Sequence, residues 1–371
     1  MKYFWLHVVT VLFFLLGHYS FSQPLTEKPQ KIVLKKYNGV FITPLFSYAP
    51  ETRLAYGASL IAYFRTDKND SVGRPSVLHP FIGHTQNHQS FNENQFLLFF
   101  KKEKYYCYGD LSFFNFPYRF YGVGNDNPRT YHENYHARFF RVRISMLRRV
   151  VKRLYAGIKI NFDQYTISHV VHGGQLDRNS PSGIVGRYGG INSGIGPMLL
   201  YDSRDNIFSS TKGSFIELAS VFNSKFTGSN YKYQFFSLDA RKFKSFLGKN
   251  VLALQGYFNF INGNVPFYQL ALMGGARRMR GYYEGRYRDK NIALVQAEYR
   301  SPFFWRIGFA AFGGLGIVYH SRSEINSNNI KPSYGAGLRF RLDRREKLNL
   351  RFDIALGYKS VGYYFILNEA F

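Results

Sequence analysis

The sequence lacks the features on which several common protein classes depend. Its single cysteine, Cys107, can form no internal disulfide and no cysteine-based metal framework. Beyond the first residues there is no apolar run of about eighteen, the length that a membrane-spanning helix requires. No segment shows sustained helical periodicity. A disulfide-stapled domain, a cysteine-based metal protein and a helical membrane protein are therefore all disfavoured.

Aromatic residues, in contrast, are abundant. The chain of 371 residues contains 38 Phe and 30 Tyr, and aromatic residues make up 19% of it. Soluble domains rarely carry so many rings, because rings that stay exposed form adhesive patches. The mean hydropathy is nevertheless only -0.26. This combination is typical of a transmembrane β-barrel, in which every second residue meets lipid and aromatic girdles lie at both interfaces.

Period-two alternation recurs along the chain. In residues 348–358 the even-numbered positions are apolar and the odd-numbered positions are polar or small, and residues 333–342 and 156–163 show the same alternation. A strand presents alternate side chains to opposite faces, so each segment has one apolar face. The other face mixes small and charged residues, which suits a wet lumen better than the outer surface of a soluble sandwich.

About sixteen segments have strand character, an even number as in closed single-chain barrels. They are residues 39–48, 53–64, 75–88, 91–102, 105–118, 132–147, 155–171, 189–203, 214–227, 231–246, 251–262, 292–303, 306–320, 333–344, 348–359 and 363–371. If the first strand starts in the periplasm, most short connections are periplasmic and most long ones are extracellular. The sequence thus predicts an all-β fold, a transmembrane antiparallel β-barrel.

The N-terminus has the pattern of a secretion signal. Lys2 precedes an apolar core at 3–16, and Ser20 and Ser22 provide small residues before a cleavage point. We therefore expect a signal peptide at 1–22, a short periplasmic segment at 23–36 with no periplasmic module, and a barrel at 37–371. The bacterial outer membrane is the expected location.

The segment 274–291 is the most arginine-dense part of the chain and lies between two strand-like segments. Its glycines predict backbone angles that other residues avoid, so it is expected to be folded. Arg280 inside a barrel would favour a carboxylate partner. Strand alternation puts Glu298 and Asp353 on the polar face. A loop folded into the lumen and held by these acids is one interpretation, and a solvated surface loop is the other.

Residues 132–136 match the zinc-protease pattern H-E-x-x-H, which binds metal when it lies on a helix. Here the pattern leads into a strand-like segment. His132 and His136 would then lie about 13 Å apart, too far to share one zinc. The sequence shows no plausible nucleophile triad. We therefore expect no enzyme activity, no metal and no cofactor.

The last residues, 363–371, are rich in aromatics and end in Phe371. A final aromatic strand with a terminal Phe is a familiar closing signature of bacterial outer-membrane barrels, and an ordinary strand at a chain end is the alternative. The net charge of +26 favours contact with anionic lipid headgroups, including the phosphates of lipopolysaccharide. Nucleic acid is not an expected partner, because the cations are dispersed and no nucleic-acid-binding motif is present.

Several landmarks in order resemble the bacterial surface antigen family, the barrel of BamA/TamA-type outer-membrane assembly and translocation proteins. The residues that carry this resemblance are Gly274, Gly275, the tripeptide Arg280, Gly281 and Tyr282, Arg286 to Asn291, Glu298 to Pro302, Tyr201 to Asn206, Gly335 to Arg339, Arg351 to Asp353, and Phe371. The resemblance implies a sixteen-stranded barrel whose sixth outer loop enters the lumen, with Arg280 contacting Asp353 and Glu298.

The resemblance also implies a role in protein insertion or secretion, with client outer-membrane proteins or a separate periplasmic protein as partners. Two departures from the family pattern weigh against a complete assembly factor. We expect no periplasmic repeat modules, and residues 309–314 lack the Asp that the family often has near this glycine-rich turn. The alternative is a passive channel or structural barrel that has lost assembly activity.

Overall fold

The computed structural model describes residues 39–66, 74–128, 130–343 and 347–371. The predicted signal peptide at 1–22 and the periplasmic segment at 23–36 lie outside the described residues. Sixteen strands form one closed antiparallel barrel, and two short strands pair separately. The strands of the first half are β1 (Gly39–Ala49), β2 (Arg53–Phe64), β3 (Ser76–Thr85), β4 (Ser90–Phe100), β5 (Tyr105–Phe120), β6 (Glu133–Val151), β7 (Leu154–Ser168), β8 (Gly189–Asp202) and β9 (Gly213–Asn223).

The remaining strands are β10 (Tyr233–Phe246), β11 (Asn250–Gly263), β12 (Ala271–Met273), β13 (Tyr287–Asp289), β14 (Asn291–Arg300), β15 (Ile307–Tyr319), β16 (Lys331–Asp343), β17 (Leu348–Gly357) and β18 (Ser360–Leu367). Around the barrel each strand follows its sequence neighbour, except that β11 pairs directly with β14. The pair β12–β13 belongs to the connection between them. The predicted fold class is confirmed.

Alternation of side chains between the outer surface of the barrel and its lumen explains why these segments become strands. In β17 the exposed Phe352, Ile354 and Leu356 alternate with the buried Arg351, Asp353 and Ala355. Hydrogen-bonding every backbone group to a neighbouring strand is what lets such a sheet cross a bilayer. No helix in the described part of the chain is long and apolar enough to do so.

The two ends of the barrel differ. At one end, here called the turn end, β1 begins and β18 finishes, and hairpins such as Lys152–Arg153 are tight. At the other end, the loop end, the connections 121–132, 169–188, 264–290 and 320–330 are long. This is the asymmetry that the sequence predicted.

The lumen is lined by two contrasting surfaces. The charged wall comprises β14 to β18 and carries buried arginines and carboxylates. The aromatic wall comprises β5, β6 and β7, where the rings of Phe114 and Phe139 stack at 4.7 Å and those of Phe139 and Tyr165 at 4.3 Å. The connection 264–290, here called the lumen loop, contacts both surfaces.

Candidate functional site: the lumen loop and the strand seam

The lumen loop contains a short hairpin, β12–β13, and the segment 274–286 between these two strands forms the tip of the loop. Strands β12 and β13 pair Met273 with Tyr287 at the neck of the tip. Gly274, Gly275 and Gly281 have φ angles of 113°, 87° and 103°, a region in which a side chain would be strained. A Cβ on Gly281 would lie 2.7 Å from the backbone nitrogen of Gly357. Glycine therefore lets the tip lie directly against β17.

Arg280 occupies the centre of the charged wall. Its guanidinium donates to Asp353 Oδ2 at 2.6 Å and to Glu298 Oε2 at 2.6 Å. The side chains are at most 1% exposed. The structure thus brings together the three residues that the sequence had singled out. Charged hydrogen bonds of this length are among the strongest in proteins, and they offset part of the free-energy cost of removing the charges from water.

Three further arginines complete the network. Arg339 contacts Asp353 at 2.6 Å and Arg351 contacts the same carboxylate at 2.8 Å. Arg300 donates to Glu298 at 2.7 Å. All five side chains are buried. Because each carboxylate serves more than one arginine, removing one acid would leave several buried cations with one counter-charge fewer.

Gly281 and Tyr282 fix the tip to the last strands. The Gly281 N–H donates to the Tyr364 hydroxyl at 2.8 Å, and the Ser360 hydroxyl donates to the Gly281 carbonyl at 2.5 Å. The Tyr282 hydroxyl donates to the Pro332 carbonyl at 2.6 Å. The loop tip therefore contacts β16 and β18, so it braces the part of the wall next to the point of barrel closure.

Phe312 lies where the sequence lacked the family's acidic residue. Its ring centroid is 3.4 Å from the Arg280 guanidinium carbon. The ring is 8% exposed. A guanidinium over an aromatic face is attracted by the ring quadrupole, most strongly when both groups are dry. Phe312 thus supports Arg280 without adding a negative charge.

The last four residues leave the barrel wall. The sequence predicted a strand at 363–371, but β18 finishes at Leu367, so this boundary was wrong. Asn368 has a φ of 72°, which turns the tail into the lumen. Glu369 then pairs with Arg339 at 2.8 Å, and the Phe371 backbone oxygen accepts from Arg300 at 2.9 Å.

The Phe371 ring is 8% exposed and packs with Phe243 and Ala253. Those residues belong to β10 and β11, so the tail reaches from the last strand to another part of the wall. The tail's polar partners and this apolar contact explain why it folds inward. Whether Phe371 acts as a barrel assembly signal stays a prediction.

The seam between the first and last strands is the weakest junction in the barrel. β1 and β18 share one registered position, Tyr48 with Phe365, whereas β1 pairs with β2 along its whole length. Extending the register shows that, among the described residues, the inward turn at Asn368 leaves the part of β1 nearest the turn end without a partner from β18. Ile42 in that part is 75% exposed. An unpaired edge with exposed apolar side chains can accept another strand.

Two acidic residues, one in the lumen loop and one in the β1–β2 turn, meet at the loop end of the barrel. The Glu284 N–H donates to Glu51 Oε1 at 2.6 Å, which ties the lumen loop to the β1–β2 turn. Desolvation, together with the nearby Glu284, raises the pKa of Glu51 to about 7. Desolvation also raises the pKa of Glu284. This contact is therefore sensitive to pH near neutrality.

The histidines of the H-E-x-x-H pattern do not converge. The ring of His132 lies 5.8 Å from Tyr121, and that of His136 lies 5.6 Å from His169. Glu133 instead accepts the backbone N–H groups of Gln175 and Leu176, so it anchors the loop 169–188. Within the described ranges no group of three or more His, Cys, Asp or Glu side chains could hold a metal.

Sequence reasoning overlooked several contributors. Arg339 and Arg351 appeared only as landmarks, although their alternation with outward residues already predicted inward side chains. Tyr364 could have been found from the same alternation. Glu369 could not, because its inward position depends on the turn at Asn368.

Comparisons with known proteins complete these observations. A family model described as the Omp85 superfamily domain matches residues 82–366. No curated protein matches the sequence. The chain is similar to the structure of BamA from Haemophilus ducreyi lacking POTRA domains 1–3, with a TM-score of 0.59 and 13% identity over 90% of this chain and 70% of that one.

Two structures of CdiB are also similar. The one from Acinetobacter baumannii has a TM-score of 0.56 and 12% identity, covering 90% of this chain and 66% of that chain. The one from Escherichia coli has a TM-score of 0.56 and 9% identity, covering 93% and 63%. This chain thus spans about two thirds of the CdiB chains. At these identities the likeness shows a shared fold, and the predicted resemblance to BamA-type barrels is confirmed.

Proposed function

The chain belongs to the Omp85 superfamily, and from that premise we propose that it is an integral barrel of the bacterial outer membrane that aids the insertion or secretion of other proteins. In this proposal the turn end faces the periplasm and the loop end faces outward. The expected clients are outer-membrane proteins, and a separate periplasmic protein would deliver them. Outer-membrane lipid and lipopolysaccharide surround the barrel.

The β1–β18 seam is the observation that carries this proposal. A client segment could add to the free edge of β1 and extend along that strand once the single registered pair with β18 separates, because an extended chain binds an exposed strand edge through backbone hydrogen bonds. The lumen loop would hold β16 and β18 in place while the edge is open. The loop then acts as a brace and takes no part in covalent chemistry.

A disulfide lock tests the seam. In a Cys107→Ser background, Tyr48→Cys with Phe365→Cys places two cysteines at a registered pair of facing strand positions. Phe236→Cys with Phe260→Cys, across the fully paired β10–β11 junction, is the matched control. The measurement is the folding of a client barrel in vesicles that contain the protein, scored by its heat-modifiable gel band.

We expect the seam lock to reduce client folding to the rate in empty vesicles, reduction to restore it, and the control lock to leave it unchanged. Equal client folding with the seam oxidised and reduced would contradict the proposal. So would a wild-type rate no higher than that of empty vesicles, which would favour the structural-barrel alternative.

The passive-channel alternative has its own discriminating observation. The lumen loop occupies the charged wall, and the tail crosses the turn end. The connection 203–212 also reaches inward there, since the Ser210 carbonyl accepts from Arg300 at 3.5 Å. The lumen loop, the tail and this connection together occupy space inside the barrel, which favours a narrow lumen. Large, steady single-channel currents through the wild-type barrel would therefore support the channel alternative.

A further inference from the structure

A groove indents the outer surface of the barrel at the turn end of β4 to β7. Its volume is about 420 Å³, and its lining is mainly apolar. The outward side chains that form it are those of Phe100, Tyr105, Cys107, Met146, Ala156 and Ile158.

Strand register explains why this part of the sheet is concave. Tyr105 is registered with Arg148, and Arg148 with Ala156, so these residues form one row across three strands. In the next row, Cys107 is registered with Met146. Each row thus contains one small side chain, Ala156 in the first and Cys107 in the second, next to larger ones. The depression results from the small volumes of Ala156 and Cys107.

Cations surround the end of the groove. Lys101 and Lys104 lie 5.8 Å and 6.0 Å from the centroid of the Tyr105 ring. The exposed basic residues at this edge are Lys101, Lys102, Lys104, Arg148, Arg149, Lys152 and Arg153. Across the described ranges none of them forms an ion pair. The acid of the β4–β5 turn, Glu103, is bound to Arg74 at 3.1 Å.

The apolar groove matches the acyl chain of a phospholipid, and the cations at the end of the groove match the phosphate of its headgroup. An acyl chain can fill a groove on a lipid-facing sheet, while Lys and Arg at its end hold a phosphate. The described residues of this edge offer no free carboxylate to bind an ethanolamine ammonium group. The site therefore favours a headgroup with net negative charge.

We propose that this groove binds an anionic phospholipid of the periplasmic leaflet, with an acyl chain along Ala156 and Cys107 and the phosphate among Lys101, Lys104 and Arg148. The inference rests on the proposed membrane placement, in which the turn end faces the periplasm. Bound lipid would attach the β4–β7 side of the barrel to the leaflet.

Competition between two lipids tests the proposal. The folded barrel is incubated with equal amounts of phosphatidylglycerol and phosphatidylethanolamine of identical acyl chains, and the retained lipid is identified by native mass spectrometry. A basic residue near an anionic surface contributes a factor of about five in binding. We expect the wild type to retain phosphatidylglycerol at least about fivefold over phosphatidylethanolamine.

Two kinds of variant separate charge from shape. Lys101→Gln/Lys104→Gln/Arg148→Gln should lower the retention of phosphatidylglycerol about a hundredfold, at about fivefold for each of the three cations. The control Lys242→Gln/Lys244→Gln/Lys249→Gln removes three exposed cations at the same end of β10–β11, and should change retention by less than about twofold. Ala156→Phe fills the groove without altering charge, and it should abolish selective retention.

Equal losses in the triple variant and its control would overturn the proposal, since diffuse charge would then suffice. Displacement of the lipid by inorganic phosphate, with retention undiminished in Ala156→Phe, would show an anion site without an acyl groove and would also overturn it.

A heat-modifiable band in phosphatidylethanolamine vesicles shows whether each variant folds and inserts, and the single Arg148→Gln replaces the triple variant if the latter does not. A barrel that inserts without lipid preference overturns this inference alone. A wild-type barrel that does not insert overturns the proposed membrane role.

Discussion

The aromatic wall and the charged wall hold the same lumen loop by different interactions, aromatic packing at the first and ion pairs at the second. Near its start, the Tyr268 ring stacks on Tyr165 at 4.1 Å, and Phe267 lies in the same buried cluster. At its tip, Arg280 is held by two carboxylates at 2.6 Å. Aromatic packing tolerates small changes in angle and volume, whereas the ionic contacts demand matched charges at fixed places.

The difference predicts unequal sensitivity to mutation. Truncating an aromatic ring removes contact area, but the neighbouring rings still pack against an apolar side chain. A removed charge leaves its former partners buried and uncompensated, which destabilises a protein by about 3–5 kcal/mol. A single substitution in the charged wall should therefore lower the free energy of unfolding more than a single substitution in the aromatic wall.

Asp353→Asn should have the largest effect, because Asp353 serves Arg280, Arg339 and Arg351. We expect a loss of about 4 kcal/mol in unfolding free energy, measured from urea titration of the heat-modifiable band. The control is Asp163→Asn, whose partners Arg141 and Arg143 are 31% and 22% exposed at the side chain. A loss no greater than in this control would contradict the distinction between the walls.

Arg280→Ala should destabilise the barrel by about 3 kcal/mol, and it should raise single-channel conductance because the loop tip is released. The effect is smaller than for Asp353 because other arginines still contact both acids. Arg280→Lys keeps the charge but loses the two-pronged contact, so it should retain part of the stability. An unchanged gel band together with unchanged currents in Arg280→Ala would show that the loop is not pinned.

Phe139→Leu should cost about 1 kcal/mol, since it removes stacking on Phe114 and Tyr165 but leaves an apolar side chain. The matched control, Phe140→Leu, alters the next residue on the outward face, where Phe140 is 41% exposed. The control should change unfolding free energy very little in lipid. A loss for Phe139→Leu as large as that for Asp353→Asn would remove the contrast.

The smallest effect should come from pH. In the folded barrel, desolvation first and the nearby Glu284 second raise the pKa of Glu51 from 4.5 to about 7, so the folded arrangement favours the protonated form. Its contribution is complete below pH 4.5 and declines as pH rises towards about 7. Hydrogen exchange of the loop tip should therefore be faster at pH 8 than at pH 5.

Glu51→Gln should reduce this pH dependence, with Glu284 left as the remaining titrating group at the contact. If exchange, corrected for its intrinsic pH dependence, is the same at both pH values in the wild type, the Glu51 contact does not control docking.

Much of the barrel could be predicted from sequence because strand alternation is local. The segment 348–358 reveals its two faces without any neighbour, and it became β17 with the predicted sides. The same alternation pointed Glu298 and Asp353 inward. The arginine-dense segment 274–291 then indicated Arg280 as the common partner of these two acids. Nothing in the sequence specified which other arginines contact which acid.

Other features depended on residues distant in the chain. The predicted last strand extended through Phe371, since its aromatic pattern continues to the end. The tail instead turns inward because Arg339 and Arg300 provide polar partners and Phe243 provides an apolar one. A local pattern contains no information about these partners.

Period-two alternation and aromatic composition are properties of the chain alone, so the sequence was enough to predict a closed β-barrel with an apolar outer side and a polar lumen side. The sharing of Arg280 between Glu298 and Asp353, its support by Phe312 and the lack of a β18 partner for part of β1 among the described residues became visible in the folded barrel alone. These outcomes depend on distances between strands, and strand register becomes fixed only when the barrel closes.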